Sequence, residues 1–176
     1  MAYEALLAHV PVPPGQVFRV PTEYPPGEAA QRYEQQLRSL FHGEGPVFDM
    51  VLLGLGTDGH TASLFPGTAA LQEEKRWVTV VHVPRLASWR VTLTFPALNA
   101  ARRALFLVLG ASKADIVAQV LRGPEERYPA QRVRPASGCI GFWMRRRRGV
   151  DGVVSCDMKN GTPKVMFGIV GYGFPP

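Results

Sequence analysis

The feature that most constrains the fold is a short apolar run that ends abruptly in glycines. Residues 48–55 read Phe-Asp-Met-Val-Leu-Leu-Gly-Leu, and further glycines follow at positions 56 and 59. A nearly continuous apolar run of this length is typical of a strand buried on both faces of a parallel sheet. A glycine-rich turn directly after such a strand lies at the carboxyl edge of the sheet, where open α/β folds bind ligands. This turn is therefore the candidate site.

Three further segments predict strands that accompany the first one. Residues 104–109 repeat its apolar character, and residues 77–83 and 90–95 are rich in Val and Thr, which favour strands. In the last segment, Val91, Leu93 and Phe95 alternate with two threonines.

Two segments predict helices. Apolar residues recur at spacings of three and four over residues 27–41, after a proline-rich connector over residues 11–26. A second helix is predicted to open at Ser112, with Ser112 as its cap and Asp115 at the acidic position of a capping box. Strands alternating with helices predict an α/β fold with an open, mostly parallel sheet flanked by helices.

The charge is unevenly distributed along the 176 residues. The chain has 20 Lys and Arg against 14 Asp and Glu, but six of the basic residues and only two of the acidic ones lie in residues 139–176. We therefore predict a domain over residues 1–138 and an atypical basic, glycine-rich, poorly ordered tail over residues 139–176. There is no 18-residue apolar run and no secretion signal, so we expect a cytoplasmic protein without a membrane span.

The glycine-rich turn brings an acid and an imidazole together. Asp58 and His60 stand two residues apart, and residues 61–64 are predicted to begin a short helix whose amides face an anionic substrate. A plain turn with polar residues explains the glycine spacing about equally well. The turn matches neither the dinucleotide-binding nor the P-loop pattern. His9, His42 and His82 have no partners at ligand spacing, so no metal site is predicted.

The run over residues 49–67 closely resembles the signature of 6-phosphogluconolactonases. The resemblance continues through Arg90-Val91-Thr92-Leu93-Thr94 and through Phe106-Leu107-Val108-Leu109-Gly110-Ala111-Ser112-Lys113, and it covers residues 1–138. It implies hydrolysis of 6-phosphoglucono-δ-lactone to 6-phosphogluconate in the pentose phosphate pathway, without a metal or an organic cofactor.

The chemistry of that reaction assigns roles to the residues of the turn. A neutral imidazole near pH 7 is a suitable base for activating water, so His60 is predicted as the base and Asp58 as its support. Backbone amides between Gly56 and Gly59, and at Thr61, are predicted to face the substrate and its oxyanion. The family resemblance further implies that Lys113 and Arg90 bind the phosphate.

Three other interpretations remain open. Glucosamine-6-phosphate isomerases share this fold, but in that family the stretch after the Asp-Gly-His triplet continues with an Asn-Glu pair, whereas here it reads Ala62-Ser63-Leu64-Phe65-Pro66 and has no carboxylate. Residues 145–148 are four consecutive arginines that would attract nucleic acid or another anionic surface, although no nucleic-acid module surrounds them. The chain could also be an inactive fragment.

Both ends of the chain depart from the family pattern. The strand and the Gly-Gly-Ser-Thr-Pro-like phosphate loop expected before Met1 are absent, so we expect an N-terminally incomplete fold. The tail after residue 138 reads like a shifted reading frame in place of a terminal amphipathic helix. The exposed faces that result predict a monomer or a weak homo-oligomer.

Overall fold

The structure is a computed structural model that describes residues 2–42, 44–124, 126–135, 139–145 and 172–173. Its α-helices are α1 (Ala2–Ala5), α2 (Pro26–Leu40), α3 (Phe95–Ala100) and α4 (Ala114–Arg122). Its strands are β1 (Val51–Leu53), β2 (Val78–Val83), β3 (Ser88–Leu93), β4 (Arg103–Leu109), β5 (Cys139–Arg145) and β6 (Tyr172–Gly173). Short 3-10 helices lie at Leu7–His9, Pro14–Gln16, Ala69–Gln72, Pro84–Leu86, Ala111–Lys113 and Pro129–Arg132.

The strands form two three-stranded sheets. The first is parallel, in the order β1-β4-β5, and it aligns Leu53 with Phe106. The second is antiparallel, in the order β2-β3-β6, and pairs Val83 with Ser88 where the chain turns back. The predicted α/β architecture with a parallel sheet is confirmed. The two segments rich in Val and Thr lie in the second sheet and pair with each other in antiparallel orientation, because their four-residue connection is too short for a parallel crossover.

Strands β1 and β4 of the parallel sheet bury the side chains of one face. Val51 and Leu53 of β1 lie beside Ala104 and Phe106 of β4, and all four are at most 3% exposed. On the opposite face Leu107 is 41% exposed and Leu109 is 60% exposed. The predicted burial on both faces is therefore wrong for β4. Nothing in the described ranges covers the outer end of this face, although its residues are as apolar as those of the core face.

Helix α2 confirms the prediction over residues 27–41 and packs on the antiparallel sheet. Pro26 occupies its first turn, where the missing amide hydrogen costs nothing. Ala30 and Leu37 face the core. Glu34 accepts a hydrogen bond from the backbone amide of Val78 at 3.2 Å, which connects the helix to the start of β2.

The threonines of 90–95 are buried together with their apolar neighbours. Thr94 is fully buried, donates to the carbonyl oxygen of Arg76 at 2.6 Å and caps α3 by accepting from the Ala97 amide. Thr92 is 1% exposed and donates to the Leu93 carbonyl oxygen. The alternation therefore separates hydrogen-bonded from apolar side chains within residues 91–95, all of which are buried.

Helix α4 begins later than the sequence predicted. Its N-cap is Lys113, which makes no side-chain capping bond, and Ser112 lies within the preceding 3-10 turn. The predicted cap at Ser112 is wrong. Gly110 enters this turn with φ of 96°, a conformation that glycine adopts without strain. Because Lys113 already has near-helical φ and ψ, the open geometry that a capping side chain requires is missing.

Within the described ranges, no helix has both the length and the apolar character needed to cross a membrane. Most of the predicted tail, residues 139–176, lies outside those ranges, and so do three of its four consecutive arginines. The part that is described includes β5, which lies parallel to β4 along its whole length.

Adjacent residues of β4 test the one-sided core. We expect Phe106→Ala to lower the free energy of unfolding by about 3–5 kcal/mol, because it leaves a cavity in the buried face. Leu107→Ala, on the exposed face of the same strand, should cost about 1 kcal/mol or less. Urea denaturation of both variants measures the difference, and equal losses would contradict the assignment of the core face.

Candidate active site

The glycine-rich loop closes on itself at the carboxyl end of β1. The hydroxyl of Thr61 donates to the Gly54 carbonyl oxygen at 2.8 Å, and the amide of Gly56 donates to the His60 carbonyl oxygen at 2.8 Å. Gly59, with φ of 76°, donates its amide to the Gly56 carbonyl oxygen. A Cβ on Gly56 would lie 2.0 Å from Nδ1 of His60, so only glycine lets the imidazole pack this closely against the loop backbone.

Asp58 and His60 form a hydrogen-bonded pair within this loop. Nδ1 of His60 lies 2.5 Å from Oδ1 of Asp58, and the His60 backbone amide donates to the same oxygen at 3.2 Å. Because an ionised carboxylate only accepts, Nδ1 carries the proton in this contact. The neutral ring then keeps its lone pair on Nε2, the nitrogen that faces away from the carboxylate. The His60 side chain is 24% exposed, so the ring remains accessible.

The hairpin of β2 and β3 adds a third residue, Arg85, to the Asp58–His60 pair, and sequence reasoning missed it. Arg85, in the turn Pro84–Leu86, places Nη2 at 2.7 Å from Oδ2 of Asp58. Its guanidinium carbon also lies 5.1 Å from the centre of the Phe65 ring, which stacks on His60 at 4.0 Å between ring centres. In the sequence, Arg85 is recognisable only as a basic residue between two predicted strands. That position does not indicate a contact with Asp58.

These contacts set the charge state of Asp58. Partial burial raises the pKa of the Asp58 carboxyl, but the hydrogen bonds from the His60 ring and amide, together with the charge of Arg85, outweigh it. The pKa of Asp58 therefore lies below its ordinary value. The carboxylate is ionised at neutral pH and can only accept hydrogen bonds.

The predicted short helix over residues 61–64 is wrong. Thr61 and Leu64 instead form an isolated antiparallel bridge around Ala62, whose φ is 51°. The Ser63 amide donates to the hydroxyl of Thr92 at 3.1 Å, and the Leu64 amide donates to the Thr61 carbonyl oxygen. These amides are therefore used within the protein. The buried side chains of Thr61 and Leu64 anchor the loop to the core.

Tyr128 fixes the opposite side of the loop. A Cβ on Gly59 would lie 2.4 Å from Cδ1 of Tyr128, so the ring packs directly on the glycine. The Ala130 amide donates to the Gly59 carbonyl oxygen, and the Tyr128 hydroxyl donates to Gln119 of α4. The loop is therefore held between the hairpin and the segment that follows α4.

Arg90 lies on the face of the hairpin that is turned toward the loop. It stands opposite Val81 in β2, and Thr92, two residues along the same face, binds the loop through Ser63. Its Nε is buried, and no acceptor for it is present among the described residues. A buried donor without a partner is uncommon and is expected where a ligand or water completes the site.

Lys113 lies on the same edge of the parallel sheet as the loop. Because β1 and β4 are parallel neighbours, the loop after Leu53 and the turn after Leu109 leave the sheet at its carboxyl edge. Lys113 is half-buried directly before α4, where the helix dipole favours anions. Arg90 and Lys113 therefore belong to different elements, the hairpin and the turn before α4.

The amides between positions 56 and 59 divide into two groups. Those of Gly56 and Gly59 donate within the loop, as described above. Among the described residues, no acceptor binds the amides of Thr57 and Asp58. These two are the donors in the predicted range that remain available to a ligand.

Fold and site together define an α/β protein with an imidazole–carboxylate pair on a glycine-rich loop at the carboxyl edge of its parallel sheet. The family described as glucosamine-6-phosphate isomerases/6-phosphogluconolactonase matches residues 1–142. The human 6-phosphogluconolactonase is 43% identical over 142 residues, covering 79% of this chain and 55% of that protein. The Nostoc 6-phosphogluconolactonase is 41% identical over 141 residues, covering 77% and 58%.

Solved structures show the same relationship. The 6-phosphogluconolactonase of Thermotoga maritima is 32% identical with a TM-score of 0.69, covering 81% of this chain and 62% of that one. A monomeric glucosamine-6-phosphate deaminase is 27% identical with a TM-score of 0.52, covering 66% and 51%. The chain belongs to the glucosamine-6-phosphate isomerase/6-phosphogluconolactonase family. It spans about half the length of the curated relatives it matches.

Two glycines with the same backbone conformation test the packing of the loop. Gly59 and Gly67 both have φ of 76°, but a Cβ on Gly67 meets open space. We expect Gly67→Ala to cost about 1–2 kcal/mol through backbone strain alone. Gly59→Ala should cost about 3 kcal/mol or more, since Tyr128 must also move. Chemical denaturation compares them, and a Gly59 variant as stable as the Gly67 variant would contradict the clamp by Tyr128.

Proposed function

We propose that this chain hydrolyses 6-phosphoglucono-δ-lactone to 6-phosphogluconate, with His60 activating the attacking water. The observation that carries the proposal is the Asp58–His60 pair, 2.5 Å apart, on the loop at the carboxyl edge of the parallel sheet. Family membership and relatives named 6-phosphogluconolactonase support the choice of reaction. No metal or organic cofactor is assigned to the reaction.

His60 acts as base and then as acid. Its neutral Nε2 takes a proton from water as the oxygen attacks the lactone carbonyl, and Asp58 stabilises the imidazolium that forms. The tetrahedral intermediate then collapses with cleavage of the bond between the carbonyl carbon and the ring oxygen. The imidazolium returns its proton to that oxygen, so the products are a carboxylic acid and a hydroxyl group, and the ring is neutral again.

The oxyanion of the intermediate needs donors that are free before the reaction. The amides of Thr57 and Asp58 meet that requirement among the described residues, whereas those of Gly56 and Gly59 hold the loop in shape. Oriented amides of this kind commonly contribute about 3–4 kcal/mol to transition-state stabilisation. The role in substrate binding is therefore indirect for three of the predicted residues, which maintain the conformation of the loop: Gly56, Gly59 and Thr61.

The phosphate is bound by Arg90 and Lys113. Arg90 has a buried Nε that meets no acceptor among the described residues, on the face of the hairpin turned toward the loop. Lys113 adds a second cation at the start of α4, where the helix dipole has the favourable sign. A dianionic phosphate would supply the missing acceptor for Arg90 and compensate both charges.

A glucosamine-6-phosphate deaminase is the nearest alternative because that activity occurs in the same family. The loop argues against it. The isomerase pattern has its Asn-Glu pair in the stretch after the Asp-Gly-His triplet, whereas this chain continues there with Ala62-Ser63-Leu64-Phe65-Pro66, none of which carries a carboxylate. The carboxylate expected for opening an amino-sugar ring is therefore missing from this part of the loop. We further propose that the protein acts in the cytoplasm as a monomer or weak homo-oligomer, without nucleic acid.

Replacing His60 tests the proposed base directly. We expect His60→Ala to lower kcat for 6-phosphoglucono-δ-lactone by about 10²–10⁴-fold, the usual contribution of a general base. The measurement is a coupled assay on freshly generated lactone, corrected for spontaneous hydrolysis. His82→Ala is the matched control, because His82 is exposed beside Trp89 on the face of the hairpin opposite Arg90. Equal turnover in the two variants would exclude His60 as the base.

Replacing Arg90 tests the phosphate site. Arg90→Gln removes the charge and should raise KM about tenfold or more, since charge-assisted hydrogen bonds to phosphate contribute about 1.5–3 kcal/mol. Arg122→Gln, an exposed position at the end of α4, is the control and should leave KM unchanged. Steady-state kinetics at constant ionic strength compare the two. An unchanged KM in the Arg90 variant would exclude it from phosphate binding.

A further inference from the structure

The two carboxylate oxygens of Asp58 are held by groups from different parts of the fold. Oδ1 accepts from the ring and the backbone amide of His60, both within the loop. Oδ2 is bound by Nη2 of Arg85 at 2.7 Å, from the hairpin turn. The plane of the carboxylate is therefore fixed from both sides. Without Arg85, the described contacts leave Oδ2 without a partner, and rotation about the Cβ–Cγ bond would exchange the two oxygens.

The hairpin turn is a firm support for Arg85. Val83 and Ser88 pair across it, the Ala87 amide donates to the Pro84 carbonyl oxygen at 3.0 Å, and Ala87 has φ of 43°. Only four residues lie between Val83 at the end of β2 and Ser88 at the start of β3, so the turn has little freedom to move relative to the strands. The Arg85 side chain is 54% exposed, but its charged end is held by Asp58 and by the Phe65 ring.

Phe65 completes the enclosure of the imidazole. Its ring stacks on His60 with an interplanar angle of 29°, and the guanidinium of Arg85 lies near the same phenyl ring. His60 is therefore restrained by the carboxylate at Nδ1 and by the phenyl ring at its face. Arg85 contacts both of these restraints without being in contact with the imidazole itself in any described interaction.

We propose that Arg85 is a positioning residue: it holds the Asp58 carboxylate so that Oδ1 keeps the Nδ1-protonated form of His60 in place. This inference rests on the proposed role of His60 as base. The position of the base and the availability of its Nε2 lone pair then depend on a residue of the antiparallel sheet. The same hairpin carries Arg90, so one element both holds the base and presents a cation toward the phosphate.

The other charged and titratable groups around the loop come from three elements. Arg90 lies on the loop-facing side of β3, Lys113 precedes α4, and the ring of Tyr128 packs on Gly59. In the described contacts, neither Arg90 nor Lys113 is bonded to Asp58. Arg85 is therefore the cation whose removal should change the Asp58–His60 geometry.

Three variants of the full chain test the proposal. Arg85→Gln removes the charge and the contact, and Arg85→Lys retains the charge on a shorter donor. Arg76→Gln is the matched control, because Arg76 also has an exposed side chain bound to one carboxylate, that of Glu73 at 2.7 Å. Steady-state kinetics, thermal unfolding and ¹⁵N NMR of the His60 ring are measured for each. The NMR spectrum reports which ring nitrogen carries the proton, independently of activity.

We expect Arg85→Gln to lower kcat about tenfold or more with KM within about twofold, because a misplaced base affects the chemical step. Its His60 spectrum should change from one protonated nitrogen, Nδ1, to a mixture of tautomers. Arg85→Lys should restore part of the kcat and part of the protonation at Nδ1. Arg76→Gln should have the kcat and the His60 spectrum of the parent chain. Thermal unfolding shows whether the variant is destabilised. A lower kcat that accompanies a lower unfolding temperature and an unchanged His60 tautomer would come from destabilisation alone, and it would overturn the proposal.

Failure of the proposal differs from failure of the proposed function. If Arg85→Gln retains the parent kcat and tautomer while His60→Ala is inactive, Arg85 has no positioning role and the lactonase assignment stands. If the parent chain does not hydrolyse the lactone above the spontaneous rate, the proposed function fails. In that case the His60 tautomer of the parent chain, compared by NMR with that of Arg85→Gln, still tests whether Arg85 positions the Asp58 carboxylate.

Discussion

The site depends on the Asp58 carboxylate, which joins three donors from two separate parts of the fold. It accepts from the ring and the amide of His60 in the loop and binds Arg85 from the hairpin. Its pKa is lowered although burial opposes ionisation, so the charged form persists at neutral pH. A carboxylate in this state fixes which nitrogen of the imidazole is protonated. The catalytic chemistry proposed for the chain follows from that one constraint.

The elements predicted correctly are those whose determinants are local in sequence. The spacing of apolar residues predicted α2 to within a residue at each end, and the apolar runs predicted β1 and β4. Asp58 and His60 were predicted as a pair because two residues of a tight glycine turn must lie close together. The family resemblance directed attention to Arg90 and Lys113, and the structure adds that the Nε of Arg90 is buried without an acceptor in the part of the chain that it describes.

Two of the following three errors arose where tertiary contacts outweigh local preference. Residues 61–64 did not form a helix because the Ser63 amide binds Thr92, a partner 29 positions along the chain. Ser112 failed as a cap because Gly110 introduces a 3-10 turn before α4. Arg85 was missed because its partner, Asp58, is 27 residues earlier and no motif relates the two. The first and the last of these depend on how the hairpin meets the loop, which periodicity does not encode, whereas the second depends on the backbone conformation of Gly110.

The central claim is that this chain, spanning about half the length of its curated relatives, carries a lactonase site rather than a deaminase site. The most direct test measures two reactions of the purified chain side by side. These are acid release from freshly generated 6-phosphoglucono-δ-lactone and ammonia release from glucosamine 6-phosphate. We predict lactone hydrolysis above the spontaneous rate and no ammonia release. Ammonia release, or lactone hydrolysis only at the spontaneous rate, would contradict the account.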